Sequence, residues 1–130
     1  APISTERLPL SLLNICLSLE AVVVLSTGEL AAVLVAGLQA VIEERNLPWH
    51  AVRVGARVEF ICAPGPLRNG TEAEAAHAPA LERAIHLALL NRGCLIAPFH
   101  NMMLISPATK KRQIDRLISA FDEILTELFH

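Results

Sequence analysis

Charge is scarce in this sequence. Charged residues make up 18% of its 130 positions, against about 25% in an ordinary soluble domain. Eleven basic and thirteen acidic residues leave a net charge of −2, and no basic run is longer than Lys110-Lys111-Arg112. A nucleic-acid partner calls for a positive stripe along the phosphates, so none is expected. Lys110 and Lys111 are also the only lysines, side by side at the start of an amphipathic run. An exposed lysine stays protonated and makes a poor Schiff-base nucleophile. The three cysteines, Cys16, Cys62 and Cys94, are odd in number, sit in apolar runs and show no metal-ligand spacing. That suits buried thiols in a reducing compartment and predicts a cytoplasmic protein with no metal. His50, His77, His86, His100 and His130 share no i, i+4 spacing, and the six glycines are scattered instead of forming a phosphate-cradling loop. With no nucleophile elbow or carboxylate pair either, the residues by themselves do not compose a complete active site.

What the chain has in excess is apolar surface. Hydrophobic residues reach 53%, against roughly 45–50% in typical domains even with glycine counted. One domain of this length does not need so much for its own core. The surplus predicts a surface covered by a partner subunit or a further domain. The expected form is a homodimer or higher oligomer, built on the helices of residues 10–45 with Leu12, Leu19 or Leu34 at the contact. The apolar run 8–25 has the length of a membrane span, but Pro9, Asn14 and Glu20 interrupt it. No basic cluster precedes it and no small-residue cleavage site follows it, so it reads as a buried helix and no membrane partner is expected.

The pattern along the chain predicts helix, helix, strand, helix, strand, strand, helix. Residues 10–25 form the first helix after Pro9. Ser26-Thr27-Gly28-Glu29 reads as a capping box opening a second helix, with Leu30, Val33, Leu34, Gly37, Leu38, Val41 and Ile42 at helical spacing. Residues 51–63 alternate, placing Val52, Val54, Ala56, Val58, Phe60 and Cys62 on a dry face and Arg53, Gly55, Arg57 and Glu59 on a polar one. Pro64-Gly65-Pro66 ends that strand and residues 67–70 form a loop. Leu81, Ala84, Ile85, Ala88 and Leu89 mark a helix that Gly93 closes. Two short strands apolar on both faces, CLIA and MMLIS, then flank the tip Pro98-Phe99-His100-Asn101 and read as central. A final helix carries Ile114, Leu117, Ile118, Phe121, Ile124, Leu125 and Leu128, with Thr109 as its cap. Trp49 reads as a packing anchor. Together these predict a single domain over residues 1–130, α/β (α+β), with helices packed on a small mixed or antiparallel sheet.

"NRGCLIAPFHNMMLISPAT" followed by "QIDRLISAF" resembles the C-terminal segment of class-III pyridoxal-phosphate aminotransferases, the group that includes glutamate-1-semialdehyde aminomutase. "VRVGARVEFICAPGPLRNGTEAEA" is similar to the strand and loop that precede it in one branch of that family. "LPLSLLNICLSLEAV" is similar to the helix after the family's Asn-Pro motif. The resemblance implies the small C-terminal domain of a fold-type-I enzyme, whose parent moves an amino group between an amino acid and a keto acid or within one molecule. It implies that pyridoxal phosphate belongs to the parent and that the lysine binding it covalently lies in a large domain, the expected partner. This chain by itself is expected to bind no cofactor specifically and to be inactive. The resemblance also implies that Phe99, His100, Asn101 and Met102 face the substrate. Because nothing in the sequence supplies a partner for both polar side chains of the tip, His100 and Asn101 are expected to be exposed, with Leu104 and Ile105 buried. Leu104 stands near where other branches carry an arginine for the substrate carboxylate, which leaves the substrate open. Thr5, with Ser4 beside it, lies near a family threonine that reaches the cofactor phosphate of the neighbouring subunit. The alternative is a non-enzymatic α/β interaction module that oligomerises through its N-terminal helices.

Overall fold

A computed structural model describes residues 10–129, with side chains from residue 27 onward. Its first element is one helix, not two: α1 runs without a break over Leu10–Glu44. The capping-box signal at residues 26–29 is overruled because extending a helix that already arrives from residue 10 is easier than starting a new one, and Glu29-Leu30-Ala31-Ala32 beyond favours helix. One Gly28 inside such a run costs only about 1 kcal/mol. The helix stops where Asn46 takes a left-handed backbone, φ 52. The Asn46 amide then reaches the carbonyl of Glu43 at 3.0 Å and the Leu47 amide that of Ile42 at 3.2 Å, a Schellman ending.

The alternating segment 51–63 is also two elements where one was expected. β1 (His50–Val54) and β2 (Arg57–Ile61) form an antiparallel hairpin around Gly55 and Ala56, and Gly55 supplies the positive φ, 59, that a two-residue turn needs. The turn reverses the parity of the pattern. Directly opposed residues share a face, so Val54 stands with Arg57 and Val52 with Glu59, while Ala51 stands with Phe60 and Arg53 with Val58. Val52 and Val54 therefore leave the dry face on which an unbroken strand would have put them. Arg53 and Arg57 separate to opposite faces.

The helix α2 (Gly70–Ala75) follows the expected loop of residues 67–70, in a stretch to which the sequence pattern assigns no element. Asn69 accepts from the Glu72 amide at 2.9 Å, and Glu72 reaches back to the Arg68 amide at 2.8 Å. This reciprocal pair was visible as Asn-x-x-Glu. α3 (Pro79–Asn91) begins with proline in its first turn and ends at Gly93, φ 76, as expected. The Cys94 amide returns to the carbonyl of Leu89 at 2.9 Å. β3 (Met102–Leu104) joins β2 antiparallel, giving the order β1-β2-β3. The sheet is antiparallel and β3 is an edge strand, so the central pair expected at residues 94–97 and 103–105 is not formed. Residues 94–97 form no regular element and touch β3 through the Ala97 amide, which donates to the Met102 carbonyl at 2.9 Å. α4 (Lys111–Leu128) closes the chain. Its start is capped by Gln113, which accepts from the Lys110 amide at 2.8 Å. Thr109 instead closes a turn, accepting from the Ser106 amide at 3.0 Å.

This is the expected α+β small domain, with helices on an antiparallel sheet. Val58, Phe60 and Met103 line the inner sheet face, and Phe60 meets Phe121 of α4 with ring centroids 4.9 Å apart. From α1 come Ala31, Leu34, Leu38, Val41 and Ile42; from α4 come Ile114, Leu117, Phe121, Ile124 and Leu125. Gly37 lets α1 and α4 approach: a Cβ there would stand 2.3 Å from Ile118 Cδ1. Trp49 is buried and meets Phe129 edge-on at 5.6 Å, the anchor the sequence predicts. Arg45 ties the end of α1 to α4 through Asp122. Arg92 ties the end of α3 to Glu123 and Glu127 at 3.2 and 2.6 Å.

Candidate functional site

The tip is a tight reversal made by two non-glycine residues in the left-handed region, His100 (φ 58) and Asn101 (φ 47). That backbone costs on the order of 1–2 kcal/mol per residue, so something must hold it. Asn101 does. It is buried, 5% exposed, and its Nδ2 donates to the carbonyl of Phe60 on β2 at 3.2 Å. Asparagine also tolerates a positive φ better than most side chains. The expectation that Asn101 is exposed is thus incorrect: its amide is spent on fastening the tip to the sheet.

His100 is exposed, as expected. Its ring lies 5.3 Å from that of His77, tilted 47°. His77 Nδ1 stands 3.4 Å from Glu82 Oε1, and Glu82 also accepts from the Ala78 amide at 3.0 Å. These residues bound a cleft of about 80 Å³ between the tip, α2 and the start of α3. The sequence joins none of them, because His77 and His100 are separated by the whole of α3. Burial, and then the nearby Glu82 charge, push the thiol of half-buried Cys62 up to about 12. Phe99 is 73% exposed and Met102 half-buried.

On the other side of the tip, residues 94–98 and β3 diverge over an apolar groove of about 570 Å³ floored by Ile114 and Leu117 and rimmed by Arg116. Ile105 is buried as expected, but Leu104 is 68% exposed. An edge strand lying on a sheet with one uncovered face must turn alternate side chains outward, and Leu104 is one of them. Arg57 is its cross-strand partner on that face and pairs with Glu59.

The cofactor fit is poor among the described residues. Lys111 is held by Asp115 at 2.8 Å on the exposed start of α4, and Lys110 precedes it there. Neither is a buried amine beside an anion-binding cradle. Thr5 and Ser4 lie outside the described residues, as do the side chains of Leu12 and Leu19. Leu34, expected at a subunit contact, is wholly inside this domain's own core. Among the described residues no helix is long and apolar enough to cross a membrane.

No family model matches the chain. Glutamate-1-semialdehyde 2,1-aminomutase of Thermomicrobium roseum is 33% identical over 100 residues, which are 76% of this chain and 23% of that protein. A crystal structure of a glutamate-1-semialdehyde aminomutase of Pseudomonas aeruginosa, solved in complex with PMP, matches 79% of this chain and 23% of its own at 45% identity and TM-score 0.77. A β-phenylalanine aminotransferase of Variovorax paradoxus shares the fold, at 21% identity and TM-score 0.70 over 78% of this chain and 23% of its own. The chain is therefore similar in sequence and fold to glutamate-1-semialdehyde aminomutases, and it shares the fold of an aminotransferase. The chain spans about a quarter of their length.

Proposed function

We propose that residues 1–130 are the C-terminal domain of a pyridoxal-phosphate-dependent aminomutase or aminotransferase, acting in the cytoplasm and supplying the wall of the active site on the substrate side. The observation that carries this reading is the 45% identity to the Pseudomonas aeruginosa aminomutase over 79% of the chain, at a TM-score of 0.77. The parent moves an amino group between an amino acid and a keto acid, or between positions of one molecule. Its cofactor, when bound, supplies the electron sink for that chemistry. This domain's part is geometric. Asn101 holds the tip against β2, and the tip presents Phe99, His100 and Met102 to the substrate. The large domain contributes the covalent lysine, and Thr5 reaches toward the cofactor phosphate of a neighbouring subunit in a homodimer or higher oligomer.

The test is a graft in which this chain replaces the matching segment of the Pseudomonas aeruginosa aminomutase. The graft is expected to be soluble, to bind pyridoxal phosphate and to turn over glutamate-1-semialdehyde. His100→Ala in the graft should change KM or kcat while the thermal midpoint stays in place. A graft that never assembles rejects the domain reading; unchanged kinetics in an active His100→Ala graft remove the tip from the site.

A further inference from the structure

Three restraints fix the joint between α2 and α3. The His77 amide donates to the carbonyl of Glu74 at 3.3 Å and closes α2. Pro79 keeps the residue before it, Ala78, out of the helical region, at φ −125 and ψ 73. The Ala78 amide then donates to Glu82 Oε1 at 3.0 Å, in the first turn of α3. The same oxygen stands 3.4 Å from His77 Nδ1, and the Glu82 side chain is only 17% exposed. A carboxylate at one ring nitrogen sets which tautomer an imidazole adopts and how the ring is turned. His77 is thus held at its backbone and at its ring, in a stretch that no motif or spacing singles out.

His100 is the opposite case. Its backbone is held, because Asn101 beside it bonds to the Phe60 carbonyl, but its imidazole forms no hydrogen bond among the described residues. An exposed side chain left to itself exchanges rotamers within picoseconds to nanoseconds. A group that meets a substrate must be held to within about 0.5 Å. The missing restraint is the ring of His77, 5.3 Å from that of His100 and tilted by 47°. That separation lies inside the span of about 4.5–7 Å over which aromatic rings attract. Among the described residues His100 pairs with no other ring, and both histidines bound one cleft with Glu82 and Asn101. We propose that His77, anchored by Glu82, is the positioning residue for His100, bracing its imidazole in the orientation in which the tip meets the substrate. The proposal rests on the domain reading above, which is what puts a substrate at the tip. It gives the joint before α3 a part in turnover, although that joint neither touches the substrate nor belongs to the strand that bears the tip.

Two measurements test it, one on the 130-residue chain and one on the graft. In the chain, the ring-proton and ring-nitrogen NMR signals of His100 report its surroundings directly. His77→Ala should move them to the positions of an unstructured histidine, whereas His77→Phe, which restores a ring face, should keep them displaced. In the graft, His77→Ala should lower kcat/KM by roughly 2- to 12-fold, the factor that an aromatic contact is worth, and His77→Phe should recover most of the loss. Made in a His100→Ala graft, the same substitution should change kcat/KM by less than about twofold, because the group it positions is gone. A merely structural role would carry its full loss into that background. If His77→Ala weakens folding, His77→Gln, which keeps a partner for Glu82 but no ring, takes its place in both measurements. Unchanged kcat/KM in the His77 variants, equal losses with and without His100, or His100 signals that stay in place would each overturn the proposal and leave the domain reading intact. A graft that never assembles, or one whose kinetics ignore His100→Ala, would reject the reading on which the proposal rests and the proposal with it.

Discussion

Replacing Asn101 separates the two jobs the structure gives it. In Asn101→Ala the hydrogen bond to the Phe60 carbonyl disappears, a loss of about 0.5–1.5 kcal/mol. Alanine must also adopt φ 47 without asparagine's tolerance for that region, which adds on the order of 1 kcal/mol. The sum, ~2 kcal/mol, is a large share of the stability of a small domain. Asn101→Gly loses the same hydrogen bond but adopts the left-handed backbone freely, so it should cost about 1 kcal/mol less than Asn101→Ala despite glycine's extra freedom when unfolded. Urea unfolding of the chain, followed by far-ultraviolet circular dichroism, measures both. With a slope of about 1–1.5 kcal/mol/M, the alanine variant should shift the midpoint down by ~1.5 M and the glycine variant by roughly half that. If glycine proves as damaging as alanine, backbone conformation is not what the residue secures. If neither moves the midpoint, the Asn101 clamp is not closed in solution.

Gly37→Val places a side chain where Ile118 Cδ1 lies 2.3 Å from the added Cβ; it should destabilise by about 1–3 kcal/mol, and Ile118→Ala in the same chain should recover part of the loss in thermal unfolding. Leu104→Ser should change stability by less than about 0.5 kcal/mol, whereas Ile105→Ser, on the neighbouring buried residue, should cost roughly 2–4 kcal/mol, read by the same denaturation. Cys62 should resist maleimide at neutral pH until the chain unfolds. Since folding raises its thiol to about 12, the thiol is neutral in both states below the ordinary value near 8.5; its contribution to stability should fade as pH climbs from there toward 12, so a pH-independent midpoint above 9 in the native chain, compared with Cys62→Ala, would contradict its burial. Pyridoxal phosphate added to the chain alone should give no saturable adduct that borohydride traps at one lysine, as judged by absorbance and peptide mass.

Several features were legible in the residues because their causes are local. The stripe of α4 and the Gly93 ending of α3 depend on neighbours three or four positions away or on one backbone angle. The resemblance carried by residues 91–109 led to the same relatives that the comparisons found. The α2 start was written as Asn69-x-x-Glu72 and could have been read. Other features depend on what a segment meets after folding. Residues 26–29 have the composition of a helix start, yet the chain passes through them as continuous helix because propagating a helix costs less than nucleating a second one. The alternation of residues 51–63 is the same whether or not the chain turns at Gly55, and only the pairing of Val54 with Arg57 shows that it does. Leu34 belongs to the core and Leu104 to the surface, although both are leucines in apolar runs. Asn101 is inside and His100 outside, although they are adjacent. Sequence determined which segments can be helix or strand, since that is settled by spacing and caps within a few residues. Which face is wet and which polar group is fastened was decided by strand order and by the elements packed opposite, because burial belongs to what surrounds a side chain and not to the side chain itself.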